Sequence, residues 1–143
     1  MRTLKSILII GTLLTLSQLV HAKTIQIEFT KDDSFSIEVA HINLEDSVEW
    51  LPVNEGHNVE FLGGPEMDSL PPKSDIDEVH VVNFKVPGVY LYQCTPHGNM
   101  GMIGLIVVNN DLHNIENIKD IKLSRIGKSV LNRLIRIANS SPK

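Results

Sequence analysis

Cys94-Thr95-Pro96-His97-Gly98-Asn99-Met100-Gly101-Met102 places a thiol, an imidazole and two thioethers in one short stretch, and it holds the chain's only cysteine. Thiolate and thioether are soft donors and imidazole is intermediate, a set that suits copper moving between Cu(I) and Cu(II). Two loops usually share such a site, so a second imidazole is expected from elsewhere. Glu55-Gly56-His57-Asn58-Val59 offers it, at the start of an apolar, strand-like run. Two His, one Cys and a more distant Met describe a trigonal blue-copper electron-transfer site. Donors drawn from two separate strand ends tie that site to a folded β-sandwich.

Plainer readings compete. A lone cysteine often only fills core space, and Cys-x-x-His by itself also occurs in zinc sites. Structural zinc sites are richer in cysteine, and no second cysteine exists to build one. A Cys-His nucleophile would need a third, orienting group. The combination of His57, Cys94, His97 and a methionine favours copper over each of these.

Outward from the ligand stretch the pattern has period two. Ile25, Ile27 and Phe29 alternate with polar residues, as do Phe35, Ile37 and Val39, then Val48 and Trp50. Val59 and Phe61 follow His57, and Gly63-Gly64-Pro65 closes that run. Residues 62–76 read as a long surface loop. Val82, Phe84 and Val86 share a face, Pro87-Gly88 marks a turn, and Val89 to Cys94 and Ile103 to Val108 supply the last strands. Short alternating strands between turn signals predict an antiparallel-rich sandwich spanning residues 23–110.

The termini differ from this middle. Arg2 and Lys5, the apolar run Ile7 to Leu16 and Val20-His21-Ala22 describe a secretory signal peptide over residues 1–22. The run is well short of the roughly 20 apolar residues a membrane span needs, so a soluble, exported chain is expected. In an oxidising compartment an unpaired cysteine is reactive or in use, and copper ligation would occupy it. After Asn110 the pattern turns helical. Leu112, Ile115 and Ile118 form one stripe with Asn110 or Asp111 as cap, and Ile126, Val130, Leu134 and Ile137 form a second with Ser124 as cap. Gly127 weakens the start of that second helix by about 1 kcal/mol relative to Ala. Residues 111–143 are thus expected as a helical extension covering the sandwich.

Charge separates the same regions. The chain is net −4, and without Arg2 and Lys5 it is −6. Residues 23–110 hold 14 Asp/Glu against four lysines, whereas residues 111–143 hold seven Lys/Arg against three Asp/Glu. The acidic sandwich argues against nucleic acid as a partner. Of the remaining histidines, His80 reads as a satisfied, half-buried strand residue, and His41 and His113 as exposed. A second metal site has no support.

Gly56-His57-Asn58-Val59-Glu60, Pro87-Gly88-Val89-Tyr90, Cys94-Thr95-Pro96-His97 and Met100-Gly101-Met102-Ile103-Gly104-Leu105 together resemble the pseudoazurins, small periplasmic cupredoxins. The resemblance implies an eight-stranded Greek-key sandwich with two short C-terminal helices and one type 1 copper. It implies Met102 as the axial ligand, since amicyanins use the spacing of Met100 whereas pseudoazurin and plastocyanin use that of Met102. It further implies that His97 nears the surface, that the Asn58 backbone N–H bonds the thiolate, and that the Asn58 side chain joins the ligand loops. Pro96 lacks an N–H, which leaves more charge on sulfur and lowers the potential. Two features depart from the family: Gly98 stands where an aromatic usually follows the histidine, and the usual lysine ring is reduced to Lys73 and Lys85.

The function expected is a monomeric periplasmic one-electron carrier, not an enzyme, serving redox proteins such as a nitrite reductase or cytochrome c. Copper storage or delivery is the alternative, but it favours Met- or His-rich clusters that this chain lacks.

Overall fold

The computed structural model describes residues 21–140, so the expected signal segment lies outside them except for its last two residues. The described strands are β1 (Thr24–Glu28), β2 (Val39–Ile42), β3 (Ser47–Leu51), β4 (Glu60–Gly63), β5 (His80–Asn83), β6 (Gly88–Gln93) and β7 (Ile103–Val108). Helices α1 (Ile115–Asp120) and α2 (Arg125–Ser140) follow. The strands form a three-stranded sheet in the order β1-β3-β5 and a four-stranded sheet in the order β2-β7-β6-β4. Pairs β3–β5, β4–β6 and β6–β7 are antiparallel, and β1–β3 and β2–β7 are parallel.

The sandwich class holds, with seven strands in place of the expected eight. Residues 30–38, between β1 and β2, cross from one sheet to the other. There Phe29 and Phe35 make only an isolated bridge. The crossing also shifts the alternation. Phe35 and Ile37 face the inter-sheet core, but so do Ala40 and Ile42, while Val39 packs on the opposite face. The single set Phe35, Ile37, Val39 read from the sequence is therefore two sets, because a strand that changes sheets must re-aim its side chains.

Trp50, Tyr92, Phe29, Phe35, Phe61 and Phe84 fill the core between the sheets, and Cys94 and Met102 belong to the same cluster. A second core lies outside the four-stranded sheet, where Val89, Leu91, Ile103, Leu105 and Val107 meet Ile118, Leu131, Leu134, Ile135 and Ala138. Strand β7 is consequently buried along both faces, and reads as a continuous apolar run for that reason.

The helices correct three expectations. α1 starts at Ile115, after Asn114, and not at Asp111. The buried Asn114 side chain accepts from the Val89 N–H and donates to the Val89 carbonyl, each at 2.8 Å. α2 is not short: it has 16 residues. Its buried face is Gly127, Leu131, Leu134, Ile135 and Ala138, displaced from the predicted stripe, and Ile126 and Ile137 are exposed. Ser124 caps as expected, its Oγ accepting from the Gly127 N–H at 2.9 Å.

Candidate metal centre

The chain between β6 and β7 is a tight loop held at both ends. The Cys94 N–H donates to the Met102 carbonyl at 3.0 Å and the Met102 N–H to the His97 carbonyl at 3.2 Å. Inside it the Gly98 N–H reaches the Cys94 carbonyl at 2.7 Å, and the Met100 N–H reaches the His97 carbonyl at 2.9 Å. These bonds aim Cys94 and His97 at one point. Gly98 answers the departure noted in the sequence. A Cβ there would lie 2.8 Å from Cδ of Gln93 and closer still to its Oε1, so the Gln93 side chain occupies the place a larger residue would need.

His57 comes from the β3–β4 connection. Gly56 takes φ +88°, a conformation glycine adopts without steric cost, and it turns the chain inward just before the histidine. The Asp77 carboxylate accepts from the Gly56 N–H at 2.6 Å and from the His57 N–H at 3.3 Å, while the Asp77 N–H donates to the His57 carbonyl at 2.9 Å. Ser74 pins Val59, two residues on, accepting from its N–H through Oγ at 2.9 Å and donating its N–H to the Val59 carbonyl. The long 62–76 loop thus reaches back to brace the site.

His57, Cys94 and His97 converge, their ligand atoms all within 4.8 Å of one another. His57 Nδ1 and His97 Nδ1 are 3.1 Å apart, and Cys94 Sγ lies 3.7 Å from the first and 3.5 Å from the second. The centre of that triangle is about 2.0 Å from each atom, a metal–nitrogen bonding distance. The donor set therefore fits a metal ion. His57 and Cys94 are buried, whereas the His97 side chain is 22% exposed. Met102 is 1% exposed and Met100 59%.

Electrostatics follow from this burial. Desolvation lowers the His57 pKa, with the neighbouring His97 adding to the effect and Asp33 and Asp77 opposing it. Burial pushes the Cys94 thiol up, while the Asn58 and His97 backbone N–H groups pull it down. Asn58 thus favours the thiolate as the resemblance implied, and the His97 N–H acts in the same direction. The Asn58 side chain joins the two ligand loops, accepting from the Thr95 N–H at 2.7 Å and donating to Thr95 Oγ1 at 3.0 Å.

Other sequence candidates stand apart. His41 pairs with Asn110 and His113 with Asp111, both exposed. His80 is half-buried and bonds the Pro72 backbone, but its Nε2 is buried without a partner, so it is less satisfied than expected. Asp77 and Ser74 escaped the sequence reading. Each acts through a single carboxylate or hydroxyl in a loop, which no spacing rule marks.

A family model for copper-binding proteins of the plastocyanin/azurin family matches residues 23–109. A pseudoazurin homologue of Rhizobium leguminosarum bv. viciae is 39% identical over 90 residues, which cover 62% of this chain and 57% of that protein. Pseudoazurin of Methylorubrum extorquens is 36% identical over 90 residues, covering 62% of this chain and 61% of its own. The matched stretch thus spans less than two thirds of either relative. Pseudoazurin of Sinorhizobium meliloti superposes with a TM-score of 0.75 at 30% identity, over 84% of this chain and 99% of that structure. The chain belongs to the copper-binding plastocyanin/azurin family, and within it to the pseudoazurins. Copper is its cofactor, and one His/Cys cluster able to hold it exists among the described residues.

Proposed function

We propose that this protein is a periplasmic one-electron carrier that cycles Cu(II)/Cu(I) at His57, Cys94, His97 and an axial Met102, with no substrate chemistry of its own. The observation that carries the reading is the triangle of His57, His97 and Cys94 donor atoms, formed between two loops that backbone hydrogen bonds hold rigid. Copper bound there supplies a one-electron couple strongly coupled to the thiolate. The backbone bonds at both ends of the ligand loop brace the donors, an arrangement suited to little reorganisation when an electron moves. Burial of Met102 beside Cys94 in the inter-sheet core supports it over the exposed Met100 as the axial donor.

The electron's exit is the edge of His97, the one partly exposed member of the triad. Pro96 and Met100 are exposed beside it and form an apolar rim. Such a rim lets a redox partner approach closely without stripping water from charged groups. Redox proteins are the partners proposed, a nitrite reductase or a cytochrome c among them, with the chain acting as a monomer. Export rests on the leader-like residues 1–22, and no described helix is long and apolar enough to cross a membrane.

Visible absorption tests this. The copper-loaded protein is expected to show an intense thiolate-to-copper band that reductant bleaches reversibly. Cys94→Ser should abolish the band and leave the far-ultraviolet circular dichroism of the sandwich unchanged. A colourless wild type that takes zinc in preference would overturn the carrier reading.

A further inference from the structure

One carboxylate stands against both imidazoles of the triad and has no part in holding the ligand loops. It belongs to Asp33, on the connection between β1 and β2. That connection is a closed turn. The Thr30 N–H donates to the Ser34 carbonyl at 2.9 Å, and the Thr30 and Ser34 hydroxyls share a hydrogen bond at 2.6 Å. The Asp32 and Ser34 N–H groups both reach Thr30 Oγ1 at 3.3 Å. At the turn's base Phe29 and Phe35 meet edge to face, 5.9 Å between centroids, and Phe29 in turn lies 5.7 Å from the His57 ring. Asp33 takes φ +51°, in the left-handed region that Asp and Asn enter more readily than most residues. Its Oδ1 is 3.7 Å from His57 Nε2 and 3.9 Å from His97 Nδ1.

The roles of the two His57 nitrogens differ. Nδ1 faces Cys94 and His97, which leaves Nε2 for an outer partner. A metal-ligating histidine commonly gives its second nitrogen to a carboxylate or carbonyl, which fixes the ring and raises its basicity. We propose that Asp33 is the outer carboxylate of the copper site: a fixed negative charge beside His57 that favours Cu(II) over Cu(I) and holds the reduction potential down. The inference rests on the electron-carrier reading above. At 3.7 Å the contact is longer than a direct hydrogen bond, so Asp33 acts through its charge or through one bridging water.

A charge within about 4–6 Å shifts a neighbour's charge-state equilibrium by a factor of ten or more. The Asp33 side chain is 49% exposed, so solvent screening places it at the low end of that range. The test is a mediated redox titration of copper-loaded protein, followed at the visible band, for wild type, Asp33→Asn, Asp33→Gly and Asp32→Asn. Asn and Gly both tolerate the left-handed conformation, so the turn is retained in each. Asp32→Asn removes the same charge from the neighbouring position and serves as the control.

Both Asp33 variants are expected to keep the visible band and to raise the Cu(I)-to-Cu(II) ratio at fixed potential about tenfold. For a one-electron couple that corresponds to about 59 mV upward. Asp32→Asn should move the ratio by less than about threefold, given screening over the added distance. Equal shifts at positions 32 and 33, or no shift at 33, would overturn the inference. Loss of the band in both Asp33 variants would make the residue structural and overturn it too. A wild type without the band would instead defeat the carrier reading, so the two failures are distinguishable.

Discussion

Met102 and Met100 are separated by one glycine, yet one is buried and the other exposed. Met102 is sealed in the core beside Cys94, and Met100 projects from the short 3-10 turn after His97. A weak thioether donor stabilises Cu(II) only if it reaches the metal. Met102→Leu is therefore expected to raise the reduction potential and change the visible spectrum. Met100→Leu should leave both nearly unchanged and alter only the rate with a redox partner. Exchange of those outcomes between the two variants would show that the axial donor is Met100. Gln93 matters at this scale as well, because its side chain fills the space over Gly98.

At the scale of elements, the ligand loop is braced from outside by α2. Ser124 caps that helix and also donates its hydroxyl to the Asn99 carbonyl at 2.7 Å, so one side chain fastens the helix start to the loop between Cys94 and Met102. Farther along, Arg133 makes two 2.8 Å bonds to the Glu38 carboxylate, which fastens the helix to the chain entering β2. Ser124→Ala should cost about 1 kcal/mol through the lost cap while the blue band persists, because the donors are held by the loop's own backbone bonds. Leu134→Ala, in the core between α2 and the sheet, should cost about 2–5 kcal/mol. Chemical denaturation of the copper-loaded variants measures both. A Ser124→Ala protein with normal stability would mean that the remaining contacts of the helix start, among them the Lys128 N–H to the residue 124 carbonyl, hold it without the hydroxyl.

For the whole molecule the decisive quantity is the distribution of charge. The sandwich is strongly acidic and the tail basic. Of the two lysines that sequence position suggested near the metal end, Lys73 is paired with Glu60 at 3.1 Å. Glu60 is itself held ionised, its pKa lowered first by the Thr95 hydroxyl and then by Lys73. A partner with a basic rim, such as cytochrome c, should thus be steered toward this chain, and an acidic reductase should not. Steering raises association rates by about 10–10³-fold and fades as salt shortens the Debye length. Stopped-flow electron transfer from cytochrome c is expected to slow at least tenfold between low and high ionic strength. A flat profile would assign docking to the apolar rim of Pro96 and Met100, and a steep fall with an acidic partner would reveal a basic ring elsewhere.

The chemistry of the site was written locally. Cys94, His97 and Met102 lie within one loop, and their softness as donors is a property of the side chains, so residue identity and spacing sufficed to select copper. His57 stood out because a second imidazole is needed from another loop and it sits at the start of an apolar, strand-like run. Period-two alternation marked the strands, and Ser124 marked a helix start through its own hydroxyl. What folding alone decided depends on contacts between distant residues. Strand pairing, including the two parallel pairs, leaves no trace in alternation, which records only which side of a strand is buried. The crossing after Phe29 reversed the alternation near Val39, and the face of α2 was settled by its packing on β7 and β2 beneath it. Asp77 and Asp33 reach the histidines across gaps of 20 and 24 positions in the chain. Their carboxylates look like any other acidic residue until the backbone brings them there.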